Sequence, residues 1–232
     1  MLPIRDTIRA RNFPIVTWLL IAANAVVFFF ELTLSPAGLE QFIANFGVVP
    51  ANLSLSNPLS WFPLLSHMFL HGGWMHVLSN MWTLVIFGDN VEDRMGPVGF
   101  LLFYLLGGVV AGLIQAFSAP GSAVPAIGAS GAIAAVLGAY FLFFPKSRVI
   151  TLIPLFFLPW FVEIPALVYL GVWFVSQLFS GALALATASG VASGGVAWWA
   201  HVGGFVFGLL VCNLFVARRP KEVWHRDEYY PF

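Results

Sequence analysis

The sequence predicts an all-α membrane protein, a bundle of six transmembrane helices with both termini in the cytoplasm. Three observations lead to this fold class. Hydrophobic residues make up 60% of the 232-residue chain and charged residues only 9%, whereas soluble domains carry about 25% charged residues. Apolar runs long enough to cross a bilayer recur along the chain. The basic residues are confined to a few clusters between those runs.

Six apolar runs approach the roughly 17 to 25 residues that a helix needs to cross a bilayer. The second and fourth runs are short. Pro154, Pro159 and Pro165 precede or interrupt the fifth run, so its start is open by about one turn. The predicted spans are Phe13–Leu32, Trp74–Gly88, Pro97–Phe117, Gly128–Phe144, Ile164–Leu183 and Val196–Ala217.

The lysines and arginines indicate the orientation of the bundle. They occur at the two termini and after the second and fourth spans, whereas the loops Thr33–Gly73, Ser118–Ile127 and Ala184–Gly195 contain none. By the positive-inside rule, both termini are cytoplasmic and the number of spans is even, a condition that six spans satisfy. The basic residues are Arg5, Arg9, Arg11, Arg94, Lys146, Arg148, Arg218, Arg219, Lys221 and Arg226.

The chain is interpreted as one membrane domain, residues 1–217, followed by a short cytoplasmic tail, residues 218–232. The first outer loop, Thr33–Gly73, is long but not hydrophilic, and stretches such as FIANFGVV and WFPLLSHMFL predict short segments lying in the membrane interface.

A single cysteine, Cys212, excludes an intramolecular disulfide. Ten basic residues balance ten acidic ones, which gives no indication of nucleic acid binding.

Ionisable groups within spans are costly and are candidates for function, and His76 and His201 are singled out here, together with the amide Asn80 and the hydroxyl residue Ser130. His76 and Asn80 belong to the second span, Ser130 to the fourth and His201 to the sixth. The depth of each residue follows from its distance along the helix, at 1.5 Å per residue, to the basic residue at the inner end of its span. This distance is about 25–27 Å for His76, Ser130 and His201, and about 21 Å for Asn80. In a hydrocarbon core about 30 Å thick, all four therefore lie near one level.

These residue types suit nucleophilic catalysis by a serine. A hydroxyl needs a base to take its proton, and a neutral imidazole does so near pH 7, which predicts Ser130 as nucleophile and His201 as base. His76 and Asn80, spaced i and i+4 on one helix face, and the Ser130 backbone N–H are predicted to donate to the oxyanion. Every acidic residue lies at a span edge or in a loop, so the prediction is a Ser–His dyad without a carboxylate.

Glycines flank the candidate dyad. Gly131 on the fourth span, and Gly203, Gly204 and Gly208 on the sixth, remove side-chain bulk, which predicts that these two helices approach closely. Gly128 is assigned the same packing role. Close approach is what would bring His201 within reach of the Ser130 hydroxyl.

Simpler explanations exist for each of these residues. Ser130 taken alone is an ordinary packing residue of a membrane helix, and His201 or Asn80 could serve only to hydrogen-bond a neighbouring helix. The histidines within His67–His76 lack an HExxH motif and a nearby carboxylate, so neither a metal nor another cofactor is predicted. An aspartyl protease would need two aspartates within the spans, and the sequence has none there.

Three motifs resemble those of the rhomboid family of intramembrane serine proteases. They are HGGWMHVLSNMW (His71–Trp82), GASG (Gly128–Gly131) and AHVGGFVFG (Ala200–Gly208), in family order and in the second, fourth and sixth spans. The similarity covers roughly residues 45–217. The Trp-Arg pair that many bacterial members carry in the first outer loop is missing, since that region reads SWFPLLSH.

The resemblance implies hydrolysis of peptide bonds in or near transmembrane segments, with Ser130 as nucleophile, His201 as base, and His76 and Asn80 around the oxyanion. The substrates would be transmembrane proteins that enter sideways between spans two and five. The compact six-span layout fits a bacterial or archaeal cell membrane. The alternative is a rhomboid-like protein that binds transmembrane clients without cleaving them, but the presence of both dyad residues favours the enzyme.

Overall fold

The computed structural model describes residues 2–155, 158–187 and 196–217. These residues form a mostly helical bundle with one small sheet. In chain order, the elements are strand β1 (Leu2–Asp6), helices α1 (Ile15–Glu31), α2 (Pro36–Phe46), α3 (Pro63–Ser66), α4 (Trp74–Met95), α5 (Pro97–Ser118) and α6 (Ser130–Phe143), strands β2 (Arg148–Leu155) and β3 (Leu158–Pro165), and helices α7 (Ala166–Thr187) and α8 (Trp198–Val211).

Each predicted span coincides with one helix, but some of the ends differ. The predicted second span ends at Gly88, whereas α4 continues to Met95. The final helix is followed by a short 3-10 turn, Cys212–Phe215. The additional turns of α4 carry charged residues, and two of them accept hydrogen bonds from the start of the chain: Asp93 from Asn12, and Glu92 from Val16 and Thr17.

The polar end of α4 caps the start of α1. Glu92 is buried and accepts hydrogen bonds from the backbone N–H groups of Val16 (2.9 Å) and Thr17 (2.8 Å) and from the Thr17 hydroxyl (2.8 Å). The first N–H groups of a helix have no acceptor within the helix, and a carboxylate there also compensates the helix dipole. One buried side chain therefore joins α1 to α4.

The prediction of an all-α fold is wrong in one region. The three strands form an antiparallel sheet in the order β1-β2-β3, with Leu2 paired to Leu152 and Pro154 paired to Pro159. The sequence of β2, RVITLIPL, is rich in β-branched residues that favour strands. Pro154 and Pro159, which suggested an interrupted approach to the fifth span, instead pair with each other in β2 and β3, and Pro165 ends β3 immediately before α7 begins.

The sheet is attached to the helices through β1. The Asp6 carboxylate accepts hydrogen bonds from the Tyr140 hydroxyl (2.5 Å) and the Asn90 amide (2.9 Å), and the indole N–H of Trp82 donates to the carbonyl oxygen of Pro3 (2.6 Å). Burial raises the pKa of the Asp6 carboxyl above its ordinary value. These contacts pack β1 against α4 and α6.

The first outer loop contains structure of its own. It includes α2, α3 and several 3-10 turns, and α2 begins at a Ser35 cap whose hydroxyl accepts a hydrogen bond from Gly38 N–H (3.2 Å). The first outer loop thus contains short helical segments. Their position in the membrane interface remains a prediction.

Helix α6 is the centre of the bundle. Every residue from Gly131 to Tyr140 is buried, and α6 packs against α4, α5 and α8. Gly138 of α6 lies directly against the backbone of Phe205 of α8, and there is no room there for a Cβ. The two helices meet backbone to backbone, a contact that small residues permit in membrane proteins.

Three described helical segments are long and apolar enough to cross a membrane, namely Pro97–Ser118, Ala166–Ala186 and Trp198–Phe215. Two further apolar helices, Ile15–Glu31 and Ser130–Phe143, are shorter. The count of six spans and the cytoplasmic position of the termini remain predictions. The predicted tail, with its four basic residues, and part of the third outer loop lie outside the described residues.

Candidate active site

Ser130 is the first residue of α6, and the segment before it is held in place by the first outer loop. Val48 and Ala126 exchange two backbone hydrogen bonds of 2.9 and 2.8 Å, and Gly128 N–H donates to the carbonyl oxygen of His67 (2.9 Å). Gly128 has a φ of +118°, which favours glycine. The chain therefore turns sharply into α6. Because Ser130 is the first residue of the helix, its backbone N–H has no acceptor within the helix.

The structure places His201 of α8 beside Ser130. The Oγ atom of Ser130 lies 2.8 Å from Nε2 of His201, and the imidazole is buried. The ring of Trp173 from α7 lies alongside it, with centroids 5.8 Å apart and an interplanar angle of 33°. A serine hydroxyl at this distance can donate its proton to the imidazole, the arrangement that nucleophilic activation requires.

The glycines explain how the two helices come so close, although not all of them act as predicted. A Cβ on Gly204 would collide with the carbonyl oxygen of Gly131, and one on Gly208 with that of Ala135. Gly203 instead faces α5, where a Cβ would lie 2.6 Å from Cδ1 of Ile114. The predicted contact of Gly203 with the fourth span is wrong, because its side of α8 turns towards a third helix.

Gly128 also differs from its predicted role in helix packing. It lies in the loop before α6, and a Cβ there would lie 2.5 Å from Nε2 of His76 and 3.7 Å from the side-chain nitrogen of Asn80. Because Gly128 has no side chain, His76 and Asn80 of α4 can lie against the segment just before Ser130. The structure thus brings His76 and Asn80 to the same end of α6 as the dyad.

Both α4 side chains have a donor available at this position. The Nδ1 atom of His76 lies 3.3 Å from the N–H of Gly72 and accepts from it, so the proton of a neutral ring is carried on Nε2. The side-chain nitrogen of Asn80 is buried without a hydrogen-bond partner. An unpaired buried donor is costly, and the Asn80 amide suits an oxyanion that forms only during reaction. The Nε2–H of His76 can donate to the same atom.

His71 lies next to this group. Its ring packs edge-on against that of His76, with centroids 5.0 Å apart, and its backbone N–H donates to the Glu31 carboxylate at 3.2 and 3.3 Å. Burial, together with the proximity of His76, lowers the pKa of His71 to about 4, so this ring is neutral near pH 7. Among the described residues, no three His, Cys, Asp or Glu side chains are grouped closely enough to hold a metal ion.

Sequence reasoning missed Gln177, the second partner of His201. Its Oε1 atom lies 2.7 Å from Nδ1 of His201, and its side chain is buried. The prediction of a dyad rests on the absence of a carboxylate deep within the spans, whereas the group at this position is an amide on α7. The signal that could have found it is a lone amide inside an otherwise apolar span, the criterion that selected Asn80.

Comparison with known proteins identifies the family. Residues 58–218 match the model of the Rhomboid domain. The chain is 30% identical over 220 residues to the human presenilin-associated rhomboid-like protein, mitochondrial, covering 89% of this chain and 51% of that protein. It is 30% identical over 130 residues to the candidate rhomboid protease YdcA of Bacillus subtilis, covering 56% of this chain and 62% of that one. The chain belongs to the rhomboid family, as its motifs indicate.

A third relative is the rhomboid-like protein 11, chloroplastic, of Arabidopsis thaliana, which is 40% identical over 74 residues, or 32% of this chain and 26% of that protein. This chain therefore spans between about a quarter and three fifths of the length of these relatives. Membership of this family, together with the apolar helices, makes the chain an integral membrane protein. Because the names include mitochondrial and chloroplastic proteins, the location in a prokaryotic cell membrane remains a prediction.

Proposed function

We propose that this chain is an intramembrane serine protease that hydrolyses peptide bonds in or near the transmembrane segments of other membrane proteins. The observation that carries the proposal is the 2.8 Å separation of Ser130 Oγ and His201 Nε2. The two residues are 71 positions apart in the chain and belong to different helices, and packing alone does not require a hydroxyl and an imidazole to meet.

In the proposed reaction, the Ser130 hydroxyl transfers its proton to Nε2 of His201 while its oxygen attacks the carbonyl carbon of the scissile bond. The resulting oxyanion accepts hydrogen bonds from Asn80, from Nε2–H of His76 and from the Ser130 backbone N–H. When the carbon–nitrogen bond breaks, the imidazolium returns its proton to the departing amine. Water, deprotonated by the same imidazole, then releases the acyl group from the serine.

This chemistry needs water at a level where lipid would exclude it. The proposed topology has six spans, cytoplasmic termini and a cavity around Ser130 that opens to the outer side. The helix α6 supports this arrangement because its 14 residues measure about 21 Å, too short for a core about 30 Å thick. A transmembrane substrate would enter sideways, between the second and fifth spans, and would have to leave the helical form at the bond that is cut.

Labelling with a serine-directed fluorophosphonate tests the assignment. The purified wild type is expected to be labelled and to cleave a model transmembrane substrate, whereas Ser130→Ala and His201→Ala should lose both activities. Ser56→Ala, a change of an exposed serine in the first outer loop, serves as the matched control. If a correctly folded wild type is neither labelled nor active, the non-catalytic function, binding of transmembrane clients, replaces this proposal.

The topology has a separate test. A cysteine at position 130 in a Cys212→Ala background is exposed to an impermeant thiol reagent added to either side of sealed membranes. Modification from the outer side alone is expected. Modification from the cytoplasmic side alone would contradict both the proposed orientation and the cavity that supplies the water.

A further inference from the structure

The amide of Gln177 is the contact of His201 that the dyad chemistry does not use. Gln177 lies on α7, 24 residues before His201, and both side chains are buried. Its Oε1 atom is 2.7 Å from Nδ1 of the imidazole, on the side of the ring opposite Ser130. The base is therefore held between two helices, with Ser130 at one nitrogen and Gln177 at the other.

The orientation of this amide follows from its other contacts. Its nitrogen lies 3.2 Å from the carbonyl oxygen of Trp173 and 2.9 Å from the Ser176 hydroxyl oxygen. A carbonyl oxygen can only accept, so the NH₂ group must face Trp173. The Ser176 hydroxyl itself donates to the same carbonyl oxygen (2.6 Å), which leaves its lone pairs for the amide. Consequently, the amide oxygen is the atom that faces His201.

An amide oxygen is an acceptor only, so Nδ1 of His201 must carry a proton to bond with it. In a neutral imidazole the other nitrogen then carries the lone pair, and that nitrogen is the one that lies 2.8 Å from Ser130 Oγ. We propose that Gln177 is a positioning residue that selects the His201 tautomer able to accept the serine proton. Its effect on the rate rests on the proposed function, whereas the tautomer itself does not.

An amide suits this task inside a membrane. In soluble serine proteases a buried aspartate holds the histidine in its tautomer, but an ionised carboxylate is expensive within a bilayer. A neutral amide supplies the acceptor without that charge, and the Trp173 ring beside the imidazole restricts its tilt. Two neutral neighbours on α7 thus determine the orientation of the base.

The tautomer is measured directly by nitrogen NMR of protein labelled with ¹⁵N-histidine, with the His201 signals identified by their loss in His201→Ala. In the wild type above the pH at which the ring is protonated, the Nδ1-protonated form is expected to dominate. Gln177→Met has a side chain of similar length without an acceptor and should give a mixture of tautomers. Gln41→Met, the same change at an exposed position, should leave the signals as in the wild type. An unchanged His201 spectrum in Gln177→Met would overturn the proposal.

Kinetics provide the second measurement. Gln177→Met is expected to lower kcat about 10-fold, the scale of losing one hydrogen bond that orients a general base, with little change in KM. Gln177→Glu, kept neutral by its buried position, retains an acceptor oxygen for Nδ1 of His201 and an O–H donor for the Trp173 carbonyl oxygen, and should remain within about 3-fold of the wild type. Equal losses in both variants would mean a purely structural role and would overturn the inference. If the wild type is inactive, the proposed function fails, but the NMR result still decides the tautomer.

Discussion

Replacing Gly204 by alanine is expected to separate the two dyad side chains without altering either of them. A Cβ at this position would lie 3.1 Å from the carbonyl carbon of Gly131 and would collide with its oxygen. The collision with the oxygen is the closer of the two, and non-bonded heavy atoms pack best at about 3.5–4.0 Å, so α8 would have to move away from α6 by about 1 Å or more. His201 is one turn away on the same helix, and its 2.8 Å contact with Ser130 would lengthen beyond the roughly 3.2 Å of a productive hydrogen bond.

The expected loss follows from that displacement. Misplacing reacting groups by about 1 Å can cost about 10²-fold in rate, and overpacking is expected to lower the free energy of unfolding by about 1–3 kcal/mol. Cleavage of a model transmembrane substrate and thermal unfolding in the same detergent measure the two effects. Gly171→Ala is the matched control, because on α7 the nearest atom to its Cβ would be a Phe141 ring carbon at 4.0 Å.

The control is expected to be as active as the wild type. Folded Gly204→Ala, isolated as a single species, would contradict this prediction if it cleaved the substrate as fast as Gly171→Ala does. Such a result would mean that α8 can yield at Gly204 without moving His201. The close contact between α6 and α8 would then serve stability alone.

Three other predictions follow from the same structure. Asn80→Ala should lower kcat by about 10²–10³ and raise KM much less, whereas an effect on KM alone would assign Asn80 to substrate binding. Glu92→Ala should lower the free energy of unfolding by about 2–4 kcal/mol, because the N–H and hydroxyl of Thr17 lose their acceptor. Unfolding in detergent measures this loss, and a change below about 0.5 kcal/mol would contradict the role of Glu92 as the cap of α1. Because burial raises the pKa of Asp6, its contribution to stability is complete below the ordinary value of 3.8 and is lost as the pH rises through the raised pKa. Relative to Asp6→Asn, the wild type should therefore lose thermal stability as the pH rises above about 4, and a constant difference would contradict this.

The sequence was sufficient for several properties that vary along a helix axis. Composition defines the solvent, apolar run length defines where the helices lie, and the rise per residue puts Ser130 and His201 at one level before any helix is packed. The motifs that identify the family are local for the same reason, since each one lies within a single predicted span. The strands were missed because their prolines and apolar residues fit an irregular helix start as well as a hairpin.

Properties that vary around a helix axis depended on the tertiary structure. Gly203 and Gly204 are neighbours in the chain, yet one faces α5 and the other α6, because successive residues on a helix point about 100° apart. Glu92 reaches α1 across 75 residues, and Gln177 reaches His201 across 24. An apolar pattern without a strong polar face does not specify which helix lies on which side. Packing makes that choice, and it thereby decides which buried amide meets the imidazole.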